Sequence, residues 1–308
     1  MFKQAKPFYI HTVTPMHVGS GSDLGIVDMP IQREGHTHFP KIEGSSLKGA
    51  IREAFELKGR TNVDVLLKTY MSFGYDESNA PSAAQQAFPE KSDKEFAGAL
   101  GFSDARLLLF PVKSAKGIFA WATSPMILKR FMKDLELSNQ RQEFEIKENS
   151  ITTDSLIMID VNNVILEEYQ IGVSKDDNTQ KIAEFLATEL NNDEVKEKLI
   201  ILADDDFEDF VTLSTEIITR TKIDNSTDTV QDGALFTEEY LPSETIMYSL
   251  ALASHVMTSA VTQVQNLSSD TEVMSFFSET IPKTMQIGGN ATIGKGMVSI
   301  VIGGNDGN

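Results

Sequence analysis

The sequence predicts an α+β fold on three observations. Residues 8–14 read as a strand that breaks at Pro15, and a glycine- and serine-rich loop separates it from a helix over residues 46–57. Two β-type runs, 106–112 and 118–123, flank the short segment Lys113-Ser114-Ala115-Lys116-Gly117 as a hairpin and lead into a helix over 124–137. Towards the C-terminus, a buried strand over 245–253, a helix over 269–281, a glycine loop and a final strand follow one another.

The elements follow from local chemistry. In the first helix Leu47, Ile51, Ala54 and Phe55 share one side, while Lys48 and Arg52, four apart, share another. Ser45 or Ser46 is expected to cap it. Gly49 costs roughly 1 kcal/mol of helix stability against alanine and permits close approach of another backbone. Residues 72–98 are polar and turn-rich, and read as a mobile insertion. Residues 138–177 are irregular, with a strand near 164–173. Helices are expected over 179–190 and 193–202, and a third opens on Asp204, Asp205 and Asp206, whose charges complement the helix dipole. Residues 219–242 alternate as a long, partly exposed hairpin around Asn225-Ser226 and Asp232-Gly233. There is no internal repeat.

A chain of 308 residues supports one large domain with insertions, or two domains. It contains no cysteine, which excludes disulfides, thiolate zinc sites and cysteine nucleophiles. The N-terminus lacks a signal-peptide core, and no run approaches the ~18 apolar residues of a membrane span, so a soluble, cytoplasmic protein is expected. The net charge of −18 is unevenly spread. Residues 134–250 hold 8 basic and 28 acidic side chains, a net −20, whereas residues 1–60 and 61–133 each carry +2. Four of the five histidines lie in the first 60 residues. Because fields are screened over about 10 Å, a local basic groove is compatible with an acidic total.

Several residues are candidates for chemistry. His17 sits on the Gly-Ser loop near Asp23 and Asp28 and has the makings of a general base. Asp23 precedes Leu-Gly and suits a turn. Asp28 lies in an apolar setting, Gly25-Ile26-Val27-Asp28-Met29-Pro30, where an acid is harder to dismiss, although a salt bridge to Arg33 would account for it. His36 and His38 could share one face of an extended chain, but no third and fourth metal ligand accompanies them. The acidic run at 204–209 could bind a metal, but consecutive aspartates on a helix point in different directions. The segment Gly288-Gly289-Asn290-Ala291-Thr292-Ile293-Gly294-Lys295-Gly296 is no P-loop, because Gly-Lys lacks a following Ser/Thr and a strand follows. It reads as a backbone amide cradle for phosphates or as a tight turn. Lys48 and Arg52 read as a basic helix start or as a solvated face.

Six colinear blocks carry a resemblance: Thr12–Ser22 (TVTPMHVGSGS), Gly25–Glu34 (GIVDMPIQRE), Phe39–Glu53 (FPKIEGSSLKGAIRE), Ala99–Pro125, Gly233–Pro242 (GALFTEEYLP) and the terminal GGNATIGKG. In these the chain resembles the RAMP superfamily, and within it the backbone subunits of type III-B CRISPR RNA-guided effectors; only 134–218 carries little signature. The resemblance implies one domain over 1–308. Its parts would be a discontinuous RRM-like, ferredoxin-like palm, insertions at about 60–100 and 134–218, and a protruding β-hairpin thumb at about 219–242. It further implies copies stacked in a helical filament on a guide RNA, other subunits of the complex, and no membrane. Complementary target RNA would be cut by 2′-OH attack with Mg²⁺ or Mn²⁺. Carried over by residue, Asp28 matches the catalytic aspartate and is the candidate metal ligand, and His17 matches a loop histidine. Ser45, Ser46, Lys48 and Arg52 match the helix start along the guide, and Gly288, Gly289 and Lys295 the RNA-facing glycine loop. Two alternatives stand beside this: a structural guide-binding subunit without catalysis, and a metal hydrolase built on His36 and His38.

Overall fold

The computed structural model describes residues 2–22, 25, 27–88, 94–224, 226–231, 234–258 and 266–304. Eleven strands form one mixed sheet: β1 (Gln4–Thr12), β2 (Lys41–Ile42), β3 (Leu100–Phe102), β4 (Ala105–Lys113), β5 (Phe119–Thr123), β6 (Ser150–Ile151), β7 (Ser174–Lys175), β8 (Leu199–Ile201), β9 (Ile246–Ala253), β10 (Thr284–Gln286) and β11 (Met297–Ile302). The order across it is β7-β6-β8-β5-β4-β9-β1-β11-β10, with β2 paired to β4 and β3 to β9. Neighbours run antiparallel except β8 with β5 and β7 with β6.

The sheet is covered on both faces, and alternation along β1 shows how. Phe8 turns to one face, where it meets Phe277 of the helix Asp270–Thr280 and Phe102; Phe277 in turn packs on Phe55 of helix α1 (Gly44–Gly59). Tyr9 turns to the other face, against Phe131 of the helix Pro125–Glu136, which also meets Tyr248 and Phe185 of the helix Asp177–Leu190. Burial on both sides explains why Leu107, Leu108, Leu109 and Phe110 of β4 are consecutive apolar residues, all fully buried.

Most expected elements form, with three corrections. The expected helix over 193–202 is only Val195–Lys198, and Leu199–Ile201 is strand β8. Its Leu-Ile-Ile run is fully buried and pairs with β5 and β6 inside the sheet, so a continuous apolar run was a two-sided strand. Residues 72–98 are not a loose insertion in their described part. Tyr75 and Phe88 are buried, their rings 4.4 Å apart, beside Tyr70 and Phe96. Helix α1 starts at Gly44, and neither Ser45 nor Ser46 caps it. Asp104 does so from another segment, its Oδ1 accepting the Gly44 N–H at 2.8 Å.

Residues 216–240 form a two-tier hairpin: Glu216–Arg220 pairs with Phe236–Tyr240 at its base, and Ile223–Asp224 with Thr229–Val230 towards its tip. Asn225, Asp232 and Gly233 lie outside the described residues, as does Asp23. Among the described residues, no helix is long and apolar enough to cross a membrane.

Candidate nucleic-acid and cleavage site

The strand Phe236–Tyr240 organises the site. One edge pairs with Glu216–Arg220. On the other edge the backbone groups of residues 237, 239 and 241 all point towards the loop that follows β1. The loop satisfies them in turn. Asp28 Oδ2 accepts the Thr237 N–H at 2.7 Å, and Met29 N–H donates to the Thr237 carbonyl at 3.0 Å. The Met29 carbonyl accepts the Glu239 N–H at 3.0 Å, and His17 Nδ1 donates to the Glu239 carbonyl at 2.7 Å. Met16 and Leu241 close the row with a reciprocal pair at 2.9 Å. A carboxylate and an imidazole therefore complete a β-ladder that the loop backbone alone does not.

This fixes both candidates chemically. Asp28 is exposed. The Thr237 backbone N–H, then the Thr237 hydroxyl at 2.9 Å, hold its carboxyl below the usual carboxylate range. His17 is buried, with its ring 5.6 Å from that of Tyr240. A carbonyl can only accept, so Nδ1 carries the proton and Nε2 is the acceptor of the neutral ring. Gly19 borders that nitrogen: a Cβ there would lie 2.8 Å from Nε2. The salt bridge to Arg33 that would have accounted for Asp28 does not form among the described residues. Arg33 instead binds Glu239 Oε1 at 2.5 Å, and Ile31 N–H and the Thr215 hydroxyl also bind that carboxylate. Burial would raise the Glu239 carboxyl, but these donors outweigh it and hold it low.

The glycine loop lies against the same place. Gly288 has φ +84°, and a Cβ there would sit 2.2 Å from the His17 carbonyl oxygen, so this close approach requires glycine. Gly289 N–H donates to that carbonyl at 2.8 Å. The N–H groups of Ile293, Gly294, Lys295 and Gly296 are also spent within the chain, so much of the loop is a packed turn. Asn290 donates to the Tyr240 hydroxyl at 2.8 Å and to Glu238, and Lys295 Nζ stands 4.9 Å from the centre of the Tyr240 ring. Glu238 also pairs with Arg220. Neither Asn290 nor Thr237 was singled out from the sequence, since short polar residues in a loop and a strand carry no periodicity.

The helix-start residues are mostly engaged, and Gln32 ties Ser46 to the Gly19 carbonyl of the same loop. Ser45 is exposed, and Ser46 Oγ accepts from Gln32 at 3.2 Å. Lys48 Nζ donates to the Leu100 carbonyl at 3.0 Å; burial, then the neighbouring Arg52, pushes its ammonium down. Arg52 pairs with Glu56 at 2.8 Å and lies 4.9 Å from the Tyr70 ring centre. Gly49 is exposed, and nothing stands over it.

His36 and His38 are exposed in a turn, and Asp204 Oδ1 caps Met126 N–H at 2.9 Å. Among the described residues no group of three or more His, Asp or Glu side chains could hold a metal ion. A single exposed, ionised carboxylate at Asp28 does fit the habit of Mg²⁺, which takes one or two carboxylates and draws its remaining ligands from water and phosphate.

A family model, the RAMP superfamily, matches residues 9–299. The chain belongs to the RAMP superfamily. This RAMP chain is 38% identical over 304 residues to the CRISPR system Cmr endoribonuclease Cmr4 of Pyrococcus furiosus, covering 95% of the chain and 94% of that relative. It is 27% identical over 336 residues to the CRISPR system CMR subunit Cmr4 of Saccharolobus solfataricus, covering 96% and 95%. Among solved structures, oligomeric Cmr4 from Pyrococcus furiosus superposes with a TM-score of 0.68 at 32% identity, over 97% of this chain and 98% of that one. A chain of a type III-B Cmr-beta complex bound to cognate target RNA shares the fold, with a TM-score of 0.69 at 22% identity over 98% of both chains.

Proposed function

We propose that this RAMP chain is the guide-RNA-binding backbone subunit of a type III-B CRISPR effector and cleaves the complementary target RNA. The observation that carries the reading is Asp28, an exposed carboxylate held ionised at the foot of a hairpin, in a chain 38% identical to a Cmr endoribonuclease. The likeness to an oligomeric relative supports self-association into a helical filament with other subunits of the complex. A cytoplasmic, membrane-free setting goes with this reading.

The four strands β4-β9-β1-β11 run antiparallel, with α1 between β1 and β4 in the chain and the helix Asp270–Thr280 between β9 and β11. That order supports an RRM-like, ferredoxin-like palm in a single domain, with the insertions at about 60–100 and 134–218. The sheet face opposite those helices is covered by Pro125–Glu136 and Asp177–Leu190, so RNA is met by loops and helix starts and not by bases stacked on the sheet. The hairpin at 219–242 serves as the thumb that splays the target. Ser45 and Gly49 offer an open helix surface to the guide backbone. Lys48 and Arg52 would share or exchange their present partners for phosphate, and Gly288, Gly289 and Lys295 line the side nearer the thumb.

The reaction needs little from the protein. RNA supplies its own nucleophile: the 2′-OH attacks the adjacent phosphorus, the bond to the 5′ oxygen breaks, and a cyclic phosphate remains. Splaying the nucleotide aligns that attack. A general base works best with a pKa near the operating pH. Asp28, held below the carboxylate range, is therefore better suited to act as a fixed negative charge than as a base. A divalent ion, Mg²⁺ or Mn²⁺, held by Asp28 and the RNA, would neutralise phosphate charge. His17 Nε2 is the proton acceptor in this reading, with its tautomer set by Glu239.

A guide-binding subunit without catalysis is the second reading, favoured by one fact: Asp28 also closes the hairpin's ladder. RNA extracted from the natively purified protein is expected to be a set of short guides, and the particle is expected to cut RNA complementary to them. Recovery of no RNA would overturn the proposal; guides without cutting would leave the second reading.

A further inference from the structure

We infer that Thr237 is a positioning residue for target cleavage: it fixes the orientation of the Asp28 carboxylate and so ties that orientation to the seating of the hairpin. The inference rests on the proposed function and deepens it. Three hydrogen bonds join these two residues, 209 positions apart in the chain. Thr237 N–H and its hydroxyl both donate to Asp28 Oδ2, at 2.7 and 2.9 Å, and the same hydroxyl oxygen accepts the Asp28 N–H at 3.0 Å. The hydroxyl thus clamps backbone and side chain of Asp28 at once.

The clamp matters because Asp28 is exposed, and an exposed carboxylate turns freely about its side-chain bonds unless something holds it. Both bonds fall on Oδ2, so Oδ1 is the oxygen that would face the RNA. Thr237 is itself fixed by its place in the base strand Phe236–Tyr240, through the Met29 pair on one edge and Thr219 on the other. An arm that wedges between guide and target would therefore set, by the same movement, the aim of the carboxylate beside the displaced nucleotide. Such a link would couple the displacement to the cut.

The test uses the reconstituted complex with guide, comparing wild type, Thr237→Val, Thr237→Ala and Thr237→Ser. Valine keeps the branched shape and the backbone N–H and removes only the hydroxyl. A hydrogen bond to a charged group governs the loss, so the single-turnover cutting rate at saturating target is expected to fall about 10- to 100-fold. Target Kd should stay within about twofold, since the Thr237 hydroxyl is already engaged inside the chain, donating to Asp28 Oδ2 and accepting the Asp28 N–H. Serine, which restores the hydroxyl, should cut within about threefold of wild type. Alanine should match valine, which separates hydroxyl loss from any packing defect peculiar to valine. Valine and alanine cutting at the wild-type rate would overturn the inference, and so would loss of target binding in step with cutting, or failure of serine to rescue. A wild-type complex that binds target but never cuts would defeat the proposed function itself, and this inference with it.

Discussion

The base and the tip of the 216–240 hairpin have the same kind of alternating sequence and opposite surroundings. At the base, Glu238 and Glu239 are 5% and 6% exposed, yet each is satisfied: Glu239 by Arg33, Thr215 and Ile31, Glu238 by Arg220, Tyr240 and Asn290. Towards the tip, Ile223 and Val230 are 48% and 51% exposed, and the hairpin's own short ladder joins them. The difference teaches that a β pattern announces a hairpin without saying which end is anchored. Here the anchor is a set of polar partners from the loop after β1 and from the glycine loop near the C-terminus. Among the described residues of the tip, Ile223, Thr229 and Val230 all stay exposed.

The comparison breaks most sharply at Glu239. Its removal by Glu239→Ala takes away the charge partner of Arg33, which keeps only the His38 carbonyl, and leaves the Ile31 N–H and Thr215 hydroxyl without this acceptor. A loss of about 3 kcal/mol is expected, read as a lower midpoint in denaturant unfolding. A change under about 0.5 kcal/mol would mean the base is not anchored through this carboxylate.

Acid should act on the base, and on the loop after β1 that carries Glu34, in a smaller, graded way. Glu34, Glu238 and Glu239 are all held below the ordinary glutamate value of 4.5. For each, burial alone would raise the carboxyl. Glu34 is then brought down by Thr37 and Arg130, Glu238 by Tyr240, Asn290 and Arg220, and Glu239 by Arg33, Ile31 and Thr215. A carboxylate with a depressed folded pKa contributes stability that is complete above its unfolded value and disappears as the pH falls through the folded one. Thermal midpoints should therefore hold from pH 7 to about 5 and then fall below about 4.5. Midpoints that rise on acidification would contradict the paired base.

The smallest effect belongs to the tip. Ile223→Thr and Val230→Thr should each change stability by less than about 0.5 kcal/mol. Limited proteolysis of the free protein should nick 223–230 before any segment of the sheet, and guide plus target should protect it. A tip as resistant as the sheet would show that it packs in the free chain.

Much of this fold was legible because its signals are local. The helix Asp270–Thr280 announces itself by the Ser269–Glu272 capping box, and the helix Pro125–Glu136 by Ser124 ahead of a proline. Strand β8 was not legible, because a short apolar run buried on two sides has no period to separate it from a helix end. The first-helix cap was missed for a different reason: Asp104 arrives from 60 residues away. The candidate site was half legible. Asp28 and His17 stood out as chemical groups in a polar loop, but their common tether, a strand more than 200 positions later, leaves no mark on either one's neighbours.

Asp28→Asn in the reconstituted complex, assayed on labelled complementary RNA with Mg²⁺ or Mn²⁺, tests the account most directly. Asparagine keeps the size, and its carbonyl oxygen can still accept both Thr237 donors, so the hairpin base should stay seated. Only the negative charge is lost. The account predicts that cutting is abolished while guide and target binding persist. Full cutting by this variant would contradict the catalytic role of Asp28 and leave the chain as an RNA scaffold.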